Sequence, residues 1–145
     1  MTTPPDRLTL DLADRIADGV LAAGREKGLK PLTVAVLDPG GHLVVLKRQD
    51  GSSTLRPEIA TGKAASALAL GVSSRRVAEM AAERPVFVAA LGGIAPKGMI
   101  PAAGGVLLQG AGGVIGAVGV TGDTSDNDEA CALDAIRACG LQAGS

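Results

Sequence analysis

Residues 34–50, Val-Ala-Val-Leu-Asp-Pro-Gly-Gly-His-Leu-Val-Val-Leu-Lys-Arg-Gln-Asp, constrain the fold more than any other stretch of the chain. Two apolar, β-branched runs flank Asp38-Pro39-Gly40-Gly41, in which proline presets φ and glycine accepts positive φ, so residues 32–47 read as a β-hairpin. The second strand opens beside His42, the only histidine, and ends at Lys47-Arg48-Gln49-Asp50. An imidazole at one end of an apolar hairpin and a charged group at the other can form two sides of a small-molecule pocket.

The flanking patterns supply the remaining elements. Thr9 is placed to cap a helix whose apolar residues, Leu12, Ala13, Ile16, Ala17, Val20 and Leu21, recur at helical spacing up to Gly28. Arg56-Pro57-Glu58 opens an alanine-rich helix, and its small apolar stripe (Ile59, Ala60, Ala64, Ala67, Leu68) implies close approach to a neighbour. Ser73 or Ser74 caps a shorter helix that Arg84-Pro85 ends. Residues 87–100 mix helix and strand signals and stay unassigned. A second hairpin spans residues 106–120 around Gly110 to Gly113. Ser125, with Asp128 three residues on, has the spacing of a capping box for a final helix. Hairpins alternating with helices argue for a mostly antiparallel sheet with helices packed on it, an α+β architecture.

Composition narrows the function. The 145 residues suit one domain, with residues 1–7 expected as a flexible tail, and a net charge of −1 without a dense basic run argues against nucleic acid or an anionic membrane as partner. No signal-peptide pattern or bilayer-length apolar run is present, so a cytoplasmic location is expected. With one Phe and no Tyr or Trp, a planar ligand must lie against aliphatic side chains. Cys131 and Cys139 stand eight positions apart on one helix, about 12 Å along its axis, too far to pair.

Taken together, the opening helix, the 34–50 hairpin, Ala-Thr-Gly-Lys-Ala-Ala-Ser-Ala-Leu around Lys63, Gly-Gly-Val-Leu-Leu at residues 104–108 and Gly-Ala-Val-Gly-Val-Thr-Gly-Asp-Thr-Ser-Asp-Asn-Asp-Glu-Ala ending at Ala130 resemble the GlcG/HbpS family of haem-binding and haem-degrading proteins. The C-terminal domain of PduO-type corrinoid adenosyltransferases is similar. This resemblance implies a profilin-like α/β/α sandwich with a central, mostly antiparallel five-stranded sheet. It also implies a homo-oligomer, and a small-molecule ligand that is haem or a related tetrapyrrole. Other relatives act as enzymes on small unsaturated carboxylic acids. The family's usual Gly-Gly-Val-Pro-Ile is Gly104-Gly105-Val106-Leu107-Leu108 here.

Candidate site residues follow. His42 is suited to ligating a haem iron or moving protons, and equally to bracing its turn through Asp38. Met99 is a further candidate at the ligand, as is Gly105 beside the strand that departs from the family pattern. Arg48, Arg56 and Lys63 are cations for the carboxylates of a ligand. Lys63 stands out among alanines, where partial desolvation would fit it to hold an anion or act as a base. Among Asp123, Asp126, Asp128 and Glu129 the spacing is not that of a calcium loop and fits a helix start, while Glu129 or Asp126, at a loop edge, is placed to share proton transfer with His42 or Lys63. Residues 110–116 miss the dinucleotide fingerprint.

Overall fold

The computed structural model describes residues 3–144, in the order α1 (Leu10–Glu26), β1 (Thr33–Leu37), β2 (Leu43–Arg48), α2 (Arg56–Leu70), α3 (Ser74–Glu83), α4 (Pro85–Gly92), β3 (Gly105–Gly110), β4 (Gly113–Thr121), α5 (Ser125–Ala138) and β5 (Gln142–Gly144). The strands form one sheet in the order β2-β1-β4-β3-β5, and every neighbouring pair is antiparallel. Helices α1 and α5 cover one face and α2 the other, which makes the three layers of an α/β/α sandwich. Helix α3 continues the α2 layer, touching α2 and β3, and α4 rests on α3.

Because successive strand side chains point to opposite faces, the sheet sorts its residues by size. Val34, Val36, Val106, Leu108, Val118 and Val120 face α1 and α5 and join Ile16, Val20, Ala132 and Ile136 in the main core. The opposite face holds Ala117, Leu37 and Leu107 under Ala64 and Ala67 of α2. Across three strands Ala35 pairs with Gly119 and Gly119 with Gly105, a transverse row almost without side chains. The backbone of α2 lies in this row. A Cβ at Gly119 would run into the Ala60 carbonyl, and one at Gly105 into the Lys63 carbonyl. The alanine-rich stripe of α2 is the other half of the same close fit.

Several sequence expectations hold in detail. Thr9 caps α1, its hydroxyl accepting from Leu12 N–H at 3.2 Å, and Ser73 caps α3. The unassigned segment contributes α4 and then turns, so the fifth strand comes instead from β5 after the last helix. Thr124 rather than Ser125 caps α5, accepting from Asn127 N–H at 3.2 Å. That shift of one residue takes Asp128 out of the capping-box position. Its carboxylate turns inward, where it is 1% exposed. Ahead of α1, the Pro5 carbonyl accepts from Ala111 N–H, tying the chain to the β3–β4 turn.

Gly119→Ala is expected to cost about 3 kcal/mol, the upper range for overpacking against atoms that cannot yield. Gly112→Ala, in a turn with no atom within 4 Å of a new Cβ, should stay within about 0.5 kcal/mol of the parent. Chemical denaturation of the two variants checks the pair; equal stabilities would refute the close-fit account of α2.

Candidate functional site

A half-open cleft of about 210 Å³ lies between the β1–β2 turn (Pro39, Gly40, Gly41), the outer face of α2 (Ala65, Leu68) and the loop that carries Lys97. A shallower trough of about 340 Å³ adjoins it, lined by Leu43 and Leu46 of β2, Pro57, Glu58 and Thr61 of α2, and again Lys97. Leu43 and Leu46 are exposed although apolar. They stand on the edge strand β2, and their exposure gives the trough an aliphatic wall.

His42 follows the turn glycines that border the cleft and is not itself one of the residues lining it. One oxygen of Asp38, Oδ1, accepts from Gly40 N–H at 2.9 Å and from His42 N–H at 3.0 Å, and lies 3.2 Å from His42 Nδ1. These donors, the His42 backbone N–H foremost, hold the Asp38 carboxyl below the usual carboxylate range. The imidazole folds over Gly40, where an added Cβ would come within 2.9 Å of its Cε1. A proton on Nδ1 directed at Asp38 leaves Nε2 as the acceptor, and the side chain is 77% exposed. A carboxylate that fixes one nitrogen while the other stays open is how metal-ligating histidines are commonly oriented.

Lys63 occupies different surroundings. From α2 its side chain runs past Gly104, and Nζ donates to the Val120 carbonyl at 2.9 Å and to Asp128 Oδ2 of α5 at 3.4 Å. Both partners are buried, 3% and 1% exposed. Asp128 Oδ1 also accepts from Asp123 N–H at 3.0 Å. Arg56 approaches from the same side, its Nη1 donating to Thr121 Oγ1 at 2.6 Å. Burial pushes the Lys63 amine below its ordinary value, against the pull of Asp128, and the nearby Arg56 charge lowers it further. Burial likewise pushes the Asp128 carboxyl up. The pair joins the helix layers on opposite faces of the sheet and lines neither the cleft nor the trough.

The remaining candidates are dispersed. Arg48 donates to the Ser52 carbonyl at 2.7 Å and borders a separate hollow with Arg25 and Asp50. Glu129 pairs with Arg75 of α3, which also holds Asp126. Gly105 is buried against the Lys63 backbone, and its N–H donates to Ser74 Oγ at 2.7 Å. Met99 is half-buried after the Lys97 loop. No hydrogen bond or ion pair among the described residues joins His42 to Lys63 or Glu129. Lys97 was not identified from sequence, since it lies in the unassigned segment; its one signal was a lone cation in an apolar run. Asp128 was hidden by its resemblance to a helix cap.

Fold and cleft together define a profilin-like α/β/α sandwich with a small apolar hollow beside its first hairpin. Residues 8–137 match the family described as Haem degrading protein HbpS-like, and the chain belongs to that family. Protein GlcG of Escherichia coli K12 is 33% identical over 114 residues, 76% of this chain and 81% of that protein. A double mutant of Streptomyces reticuli HbpS superposes with a TM-score of 0.80 at 28% identity, covering 94% of this chain and 90% of that one. The PduOC:heme complex shares the fold, with a TM-score of 0.84 at 21% identity over 96% of this chain and 99% of that one.

Lys63→Met should destabilise the fold by about 3–5 kcal/mol, because it leaves the Asp128 charge buried without its partner. Adding Asp128→Asn should recover part of the loss. An acid whose folded-state pKa is raised gains stability as pH falls from that value towards the unfolded one, so the deficit of the single variant should shrink between pH 7 and pH 5. Denaturation curves at the two pH values measure this, and a deficit that grows on acidification would refute the assignment.

Proposed function

We propose that the chain binds haem or a related tetrapyrrole across the cleft and the adjoining trough, with His42 Nε2 towards the iron. The observation that carries this reading is the imidazole held over Gly40, a residue of the cleft wall: Nδ1 lies 3.2 Å from Asp38 Oδ1, and the cleft beyond Gly40 is lined by Ala65, Leu68 and Pro96. Family membership and the haem complex of a protein with the same fold support it. The donor set agrees as well. No three His, Cys, Asp or Glu side chains among the described residues cluster to hold a bare metal ion, so a single imidazole suits a metal that brings its own ring of ligands. When bound, the iron supplies the redox and ligand-exchange chemistry. His42 would offer Nε2 to it, and Leu43, Leu46 and Leu68 would supply an apolar surface for the ring.

A cleft of about 210 Å³ is smaller than an ordinary ligand pocket of about 300–1,000 Å³. A tetrapyrrole therefore uses the trough as well and stays partly open on one chain. Assembly of copies belongs to the same proposal. Val86 and Ile94 are 83% and 79% exposed, Phe87 beside Val86 is exposed too, and of α4 only Val88 is buried. An apolar patch of this kind marks an interface, here in a homo-oligomer. The free thiols of Cys131 and Cys139 suit a reducing, cytoplasmic setting, and among the described residues no helix is long and apolar enough to cross a membrane. A catalytic reading centred on Lys63 has less support, because that amine is buried away from both hollows.

Titration of the protein with hemin should give a saturable Soret change, and His42→Ala should weaken binding by at least about tenfold. Binding no stronger than that of an unrelated control protein would sink the haem reading. In light scattering, a Val86→Glu, Ile94→Glu double variant should have a lower mass than the parent; an unchanged mass above that of one chain would exclude the α4 face as the interface.

A further inference from the structure

We infer that Lys97 is the anion-recognition residue of this site and makes it selective for ligands that join an apolar body to a carboxylate. The inference rests on the cleft being the binding site and adds what the site selects. Lys97 lines both the cleft and the trough, so it stands where a ligand lying across them must pass. The three other cations considered for ligand carboxylates each already bond an acceptor of the protein. Arg48 bonds the Ser52 carbonyl, Arg56 bonds Thr121, and Lys63 bonds Val120 and Asp128. Lys27 and Lys47 are paired with Asp134 and with Asp14 and Asp18. Among the described residues Lys97 makes no ion pair or side-chain hydrogen bond.

Its backbone is fixed in place. The Ala95 carbonyl accepts from Gly98 N–H at 3.1 Å, closing a tight turn around Pro96 and Lys97. The Lys97 carbonyl lies over Gly62 of α2, where a Cβ would sit 3.3 Å from its oxygen. Three residues on, Ile100 N–H donates to the buried Ser66 hydroxyl at 2.8 Å, which itself donates to the Gly62 carbonyl at 2.7 Å. The loop is thus pinned to the outer helix, and only the flexible end of the lysine remains to be ordered on binding. Charge also gives the site a direction. Glu58 lines the trough, whereas no carboxylate lines the cleft. An anion held by Lys97 is steered to the cleft side, and the apolar body of the ligand extends over Leu43 and Leu46.

The test compares hemin with hemin dimethyl ester, which lacks free carboxylates, on the parent, Lys97→Ala and Lys97→Arg. The parent should prefer hemin by about tenfold, the range of one charge-assisted contact. Lys97→Ala should lose that preference with ester affinity unchanged, and Lys97→Arg should retain it. A preference that persists in Lys97→Ala overturns the inference and leaves the haem reading standing. Hemin that fails to bind any of the proteins overturns the haem reading, and parinaric acid, a fluorescent fatty carboxylate, then decides the matter against its methyl ester. Uptake of the acid that Lys97→Ala abolishes sustains the inference, and equal uptake or none overturns it.

Discussion

The row Ala35, Gly119 and Gly105 governs the architecture, because it lets the backbone of one helix lie directly on the sheet. Ordinary helix-on-sheet packing keeps the layers apart by the length of interleaved side chains. Here Ala60 and Lys63 present carbonyls to glycines, and the separation is limited by backbone atoms. That contact brings Lys63 close enough to reach past the end of β4 to a carboxylate on the far layer. It also sets the height of the outer surface of α2, where Ala65 and Leu68 form the floor of the cleft.

The buried pair is better understood as a consequence of this geometry than as a source of stability. Desolvating an ammonium and a carboxylate costs several kcal/mol for each ion, and the attraction at 3.4 Å offsets that cost only with help from other hydrogen bonds. The Val120 carbonyl and Asp123 N–H supply that help. What the pair adds is specificity of arrangement: α5 can dock in only one register if Asp128 is to meet the amine. Leucines at the two positions would pack on either layer without that demand.

Much of this was legible in the sequence, for reasons that differ by element. The first hairpin is a local object, and its turn chemistry identifies it from four residues. Lys63 was conspicuous as a cation among alanines, yet its partner lies 65 positions away and reads locally as an ordinary acid at a helix start. β5 gave no signal, because Gln142-Ala143-Gly144 joins β3 as a short edge strand with no apolar alternation to announce it. The grouping of site residues was not legible either. Arg48, Lys63 and Glu129 each had the right chemistry for a ligand, and which cation faces the cleft depends on how the Lys97 loop is pinned to Ser66, a contact no spacing encodes.

One property of the β1–β2 turn extends beyond ligand geometry. Everything that orients the imidazole comes from five consecutive residues, through one oxygen of Asp38. The ring is solvent-facing and outside the core, so replacing it should change stability by no more than about 0.5 kcal/mol. The scaffold and the imidazole are therefore free to diverge at separate rates. A lineage can lose or exchange the imidazole without endangering the fold, and a common sandwich can then carry different ligands in different descendants.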